Sequence, residues 1–134
     1  MTPFPLKIVT PDGVCYDGMA QMLTVRTIGG DLGIMAGHAD LVAPLGMGRA
    51  TVVIDGQKRY AACMGGILSV TGGRVDLVPT TFEWADQIDA QRADASYQKA
   101  QQILSAKDAS DTDLALAEAR LKRALVRKNV ASMK

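Results

Sequence analysis

Hydrophobic residues change their period along this chain, and the change divides it in two. In the first part, short runs of β-favouring residues alternate with turn residues at close intervals, as an antiparallel sandwich or barrel requires. The runs are Leu6–Val9, Met22–Thr27, Arg49–Ile54, Lys58–Cys63, Ile67–Val70 and Arg74–Val78. Two connections predict tight hairpins, because Asp55-Gly56 and Gly72-Gly73 each supply a pair of residues that tolerate positive φ. Ahead of the first hairpin, Ala50, Val52 and Ile54 share one strand face while Thr51 and Val53 point the other way, so the outer face is not wholly polar.

Beyond these runs the period becomes helical. Ala93, Tyr97, Ala100 and Leu104 form one stripe; after the polar break Lys107–Ser110, Leu114, Ala117, Leu121 and Ala124 form a second, broadened by Leu125. Ser110, with Asp113 three residues on, resembles a capping box. All 13 glycines and 5 prolines lie between Pro3 and Pro79, so nothing after that point interrupts a helix. The predicted fold class is mixed β plus α: an antiparallel β-sandwich domain over residues 1–84, then an antiparallel two-helix hairpin over 85–134. Each helix should span about 18 residues, roughly 27 Å. Alanine buries little area, so the hairpin must lean on another surface, the β-domain in one state and a different protein in a second.

Composition narrows the function classes. With 48% apolar and 22% charged residues and a net charge of +1, the chain suggests neither disorder nor bulk nucleic-acid affinity. The opening MTPFPLKIVTPDG is no basic leader with an apolar run behind it. No window approaches the ~20 apolar residues of a membrane span. The expectation is a cytoplasmic protein. Cys15 and Cys63, far apart and outside any CxxC pair, read as reduced, half-buried strand residues.

Little in the chain suggests catalysis. The single histidine, His38, sits in a glycine-rich stretch near Asp31 and Asp40, but no HxxxH, HxH or GxSxG occurs. A structural or interface role suits it, with no metal site and no enzyme. Gly29 to Gly33 lacks the GK[ST] and following helix of a phosphate loop, and turn geometry accounts for those glycines. Gly65-Gly66 predicts a close backbone approach or a bulge.

Two constellations remain open on the residues alone. From Arg120 onward come Arg120, Lys122, Arg123, Arg127, Lys128 and Lys134 with no acidic side chain; this is either a solvated helix end or a face for an acidic partner. No aromatics are interleaved for nucleic acid. Asp89 and Arg92 open the first helix, where an antiparallel partner would bring Arg123 and Arg127. That gathering is either an anion site or a salt-bridge cluster.

Four segments together resemble the epsilon subunits of bacterial F-type ATP synthases. Gly33-Ile34-Met35-Ala36-Gly37-His38-Ala39-Asp40-Leu41 is similar to the family's GILPGHxPL, and Met64 to Val70 to its GGxLxV strand. Ile88-Asp89-Ala90-Gln91-Arg92-Ala93 is similar to IDxxRA, and Leu121 to Arg127 to its basic last helix. Ala36 and Asp40 replace the prolines around the histidine, and Met35 stands for leucine. The resemblance implies a non-catalytic rotor subunit that couples proton flow to ATP synthesis. It lies peripherally, at the cytoplasmic face of the bacterial plasma membrane. It implies contact with the gamma subunit and c-ring near Asp31 and His38, and with alpha and beta subunits through the helices. It also implies inhibition of ATP hydrolysis by the basic face Arg120, Lys122, Arg123, Arg127 and Lys128. No cofactor is required; ATP is the candidate regulatory ligand, with Ile88, Asp89, Arg92, Ala93, Arg123 and Arg127 as candidate site. A free-standing binding module with the helices as dimerisation arm is the rival class, distinguished by whether the chain co-purifies with synthase subunits.

Overall fold

The computed structural model describes residues 1–133; Lys134, counted above in the basic end, lies outside them. Ten strands come first: β1 Phe4–Thr10, β2 Gly13–Ala20, β3 Met22–Thr27, β4 Gly30–Ile34, β5 Leu41–Pro44, β6 Met47–Ile54, β7 Gln57–Met64, β8 Ile67–Thr71, β9 Arg74–Val78 and β10 Thr81–Trp84. A short 3-10 turn, Ala85–Gln87, leads into α1 (Ala90–Leu104) and α2 (Asp111–Ala131).

The strands form two five-stranded sheets, ordered β2-β1-β9-β8-β5 and β10-β7-β6-β3-β4. Alternation drives their facing. In β1, Phe4, Leu6, Ile8 and Thr10 are buried while Pro5 and Lys7 are exposed, so one side of the sheet meets its partner and the other does not. Leu6, Ile8, Leu23, Val25, Ile34, Val52, Leu68, Val70, Val75 and Leu77 fill the space between the sheets. Phe82 and Trp84 close it at one edge, edge-to-face at 4.9 Å. The sandwich is antiparallel but for one pair: β1 runs parallel to β9.

Both predicted hairpins have the expected backbone. Asp55 and Gly56 (φ 51° and 77°) and Gly72 and Gly73 (56° and 82°) all lie in the left-handed region. Gly65-Gly66 is a close approach: a Cβ on Gly66 would sit 2.0 Å from the Val78 carbonyl oxygen. Cys63 is buried rather than half-buried. It shares the core with half-buried Cys15, and burial, with a smaller contribution from Cys15, pushes its thiol up to about 12.

The helices measure 15 and 21 residues rather than equal lengths. The hairpin begins late because its first residues serve other ends: Gln87 Oε1 accepts from Trp84 N at 3.1 Å, and Asp89 is the N-cap, accepting from Arg92 N at 3.0 Å. Ser110 Oγ accepts from Asp113 N at 3.1 Å, the forward half of a capping box.

The hairpin lies on the outer face of the second sheet. There Ala62 and Met64 of β7 meet Ala85, Ile88, Val130 and Ala131, with Tyr60 and Val126 beside them. The outer face of the first sheet carries no helix. Its register sets Pro44, Ile67 and Val78 side by side, and Val14 opposite Val9 on the next strands. The result is an exposed apolar row beside the charged row Asp17, Lys7 and Asp76.

Gly66→Ala tests the close approach. With φ at +88° and backbone 2.0 Å away, the variant should lose about 2–4 kcal/mol of sandwich stability in a denaturant titration. Gly29→Ala, whose added Cβ would meet nothing nearer than Thr27 Oγ1 at 3.8 Å, should lose far less.

Candidate functional site

Where the hairpin joins the sandwich, the chain encloses a cavity of about 530 Å³. Three pieces wall it. The β1–β2 turn contributes Thr10 and Asp12, β10 and the turn after it contribute Thr81, Phe82, Glu83, Gln87 and Ile88, and the helices contribute Asp89, Arg92, Ala93, Ser96 and Arg127. The parallel pairing of β1 with β9 carries Thr10 to the sheet end from which β9 leads into β10. The sandwich thus supplies a wall that no local motif announces.

Five of the six candidate nucleotide residues meet here: Ile88, Asp89, Arg92, Ala93 and Arg127. Arg123, one helical turn before Arg127, does not line the cavity. Ile88 and Ala93 are each only 4% exposed, so they shape the wall and pin the hairpin rather than present polar groups. Arg127 Nε donates to Glu83 Oε1 at 2.7 Å, a helix-to-strand pair with both side chains about one-third exposed. Asp89 caps α1 and, among the described residues, makes no ion pair with the facing helix. The Arg92 guanidinium has no hydrogen-bond or ion-pair partner among the described residues.

Glu83, Thr10, Asp12, Gln87 and Ser96 were not foreseen. Glu83 sits in an edge strand of four residues, and Thr10 and Asp12 are nearly eighty positions from Ile88 (about 80 by sequence, close only through the fold). Only Gln87, directly before the motif, carried a local hint.

The basic end is divided in this closed arrangement. Arg127 is held by Glu83, and Lys128 Nζ by Asp94 Oδ1 at 2.9 Å while it also lies 4.3 Å from the Tyr97 ring centre. Arg120 and Lys122 are exposed and Arg123 half-buried. At about 100° per residue, Lys122 projects away from the other four.

At the far flank of the sandwich, Asp31 of β4 pairs with Arg26 of β3, Nε to Oδ1 at 2.8 Å. His38 lies in the loop beyond the opposite end of β4, its Nδ1 2.7 Å from the Ala39 carbonyl oxygen. One loop end therefore does not hold both residues, since β4 separates them by roughly 10 Å of extended chain. They share instead the flank made by edge strands β4 and β5.

The chain's two parts each match a known family domain. Residues 3–85 match the β-sandwich domain of the ATP synthase delta/epsilon chain, and residues 86–132 match its long α-helix domain. The chain belongs to the ATP synthase delta/epsilon-chain family. Curated ATP synthase epsilon chains are similar along their full length. That of Bacillus velezensis is 42% identical over 98% of both chains, that of Bacillus licheniformis 40% over 98% of this chain and 99% of its own, and that of Bacillus cytotoxicus 38% over 100% of both. The fold recurs in a chain of the Euglena gracilis mitochondrial ATP synthase (TM-score 0.84, 21% identity, 100% of this chain and 83% of that one). It recurs again in a chain of the central stalk/c-ring structure of the Tetrahymena thermophila mitochondrial ATP synthase (TM-score 0.62, 12% identity, 95% of each).

The Asp94–Lys128 pair makes the packing of α1 on α2 pH-sensitive. A hydrogen bond from Lys128, and then its charge, hold the Asp94 carboxyl below its ordinary value. A depressed carboxyl stabilises the fold above its unfolded-state pKa, and the gain disappears as pH falls through the lowered folded-state value. Acidification below about pH 4 should lower the helical melting temperature of the native chain more than that of Asp94→Asn. Both groups are solvated, so the difference is small.

Proposed function

We propose that this chain is a non-catalytic rotor-side subunit of a rotary ATP synthase, and that its hairpin brakes ATP hydrolysis when released and is held closed by ATP bound at the joint. The observation that carries this reading is the cavity itself. It exists only while the hairpin lies on the sandwich, and residues of both domains line it. A ligand that fills it binds the closed form alone and stabilises that form by RT ln(1 + [L]/Kd), about 2.7 kcal/mol at a hundredfold excess over Kd.

The energetics suit a switch. Opening the hairpin exposes Ala62, Met64, Ala85, Ile88, Val130 and Ala131, mostly small side chains, with Val130 contributing on the order of 1.5 kcal/mol. It also breaks the partly solvated Arg127–Glu83 pair, which contributes roughly 0–1 kcal/mol. The closed form therefore leads by a margin that one ligand can alter. Opening would free Arg127 from Glu83, adding it to Arg120, Lys122, Arg123 and Lys128 as a cationic face for acidic surfaces of the alpha and beta subunits. The sandwich would remain docked to gamma and the c-ring. Its uncovered apolar row at Val14, Val9, Val78, Ile67 and Pro44 and its flank at Asp31 and His38 are the surfaces that suit such partners.

Two measurements test the reading. Titrating the full chain with ATP should give saturable heat and a higher melting temperature, and Arg92→Ala should abolish both; a flat titration at millimolar ATP removes the ligand from the account. In synthase reconstituted with this subunit, neutralising Arg120, Lys122, Arg123, Arg127 and Lys128 together should raise the hydrolysis rate severalfold, and more at low salt. An unchanged rate with the subunit still bound would show that the helices do not brake the enzyme.

A further inference from the structure

The cavity at the joint contains one carboxylate that the fold leaves unused. Of its three, Glu83 is held by Arg127 at 2.7 Å and Asp89 accepts from Arg92 N at 3.0 Å. Asp12 differs: its carboxylate makes no hydrogen bond or ion pair among the described residues. Its backbone is nevertheless fixed. Asp12 N donates to Thr10 Oγ1 at 3.2 Å, and Thr10, at 8% exposure, is the polar residue buried in the described structure. The turn therefore presents an acceptor with open capacity from a rigid base.

Across the same cavity, the Arg92 guanidinium is the matching open cation. Arg92 comes from the hairpin and Asp12 from the sandwich. A ligand satisfying both needs anionic oxygens at one end and N–H or O–H donors at the other. Inorganic phosphate or polyphosphate offers only the first and meets Asp12 as a like charge.

We infer that Asp12 is a specificity-determining residue of this cavity, accepting a hydrogen bond from the sugar hydroxyls or base amine of a nucleoside triphosphate whose phosphates face Arg92. The inference rests on the nucleotide reading above and adds to it a residue outside the helical motif. It also explains how a ligand could tie the two domains together: one end would be held by the hairpin and the other by the sandwich.

Calorimetric titration of the full chain and Asp12→Ala separates these ideas, with ATP, dideoxy-ATP (no sugar hydroxyls), inosine triphosphate (no base amine) and tripolyphosphate as probes. Asp12 is exposed, so the variant's melting temperature without ligand should match the parent's. Asp12→Ala should weaken ATP at least tenfold, as expected for loss of a hydrogen bond to a charged group. It should leave tripolyphosphate unchanged or tighter. Its penalty should vanish for whichever analogue lacks the donor Asp12 binds, which identifies that donor. Equal ATP affinity in variant and parent, or an equal loss for all four probes, overturns the role of Asp12 while the nucleotide reading stands. No ATP binding by the parent overturns both.

Discussion

The seating of the end of α2 on β7 is the contact on which the rest of the site depends. Val130 is fully buried and Ala131 nearly so, against Ala62 and Met64 on the outer face of the sheet. Sheets in a sandwich usually give that face to water, and Ala62 and Met64 read as a fault in alternation until the helix is added. Remove the contact and Arg127 leaves Glu83, Ile88 loses its cover, and the cavity loses its helical wall. The contact is also built mainly from alanine and single aliphatic side chains, which limits how strongly it can hold.

The division of the fold between legible and illegible parts follows the sheets. All six runs read from the sequence, at β1, β3, β6, β7, β8 and β9, are interior strands. The four strands not foreseen, β2, β4, β5 and β10, are the four sheet edges. An interior strand needs a full hydrogen-bond ladder on both sides and a dense apolar face, which writes a strong pattern. An edge strand has neither requirement. Thus β4 carries Gly30 and Gly33, β5 ends at Pro44, β2 bulges between its pairings with Ile8 and Val9, and β10 is four residues long. Glycine, proline, bulges and shortness are how edges avoid pairing with other chains, and they erase the period-two signal.

The candidate site divides in the same way. Its helical half was legible because Ile88, Asp89, Arg92 and Ala93 are neighbours in sequence and Arg127 recurs at helical spacing from Arg123. Its sandwich half was not, because Thr10 and Asp12 arrive through a parallel strand pairing that hydrophobic pattern does not specify, and Glu83 belongs to an edge strand. Spacing alone also gathered Arg123 with Arg127, whereas only Arg127 lines the cavity. Residues four apart share a helix side, but a cavity at the helix end reaches just the last of them.

The central claim is that a ligand at the joint holds the hairpin against the sandwich, and amide hydrogen exchange resolved along the chain tests it most directly. Local opening of the hairpin sets the exchange of α1 and α2, whereas the interior strands exchange only through global unfolding. Saturating ATP should slow exchange throughout α1 and in α2 near Arg127 and Val130, while β3 and β6 stay as they were. Hairpin exchange that is the same with and without ATP, under conditions where ATP is bound, would contradict the account.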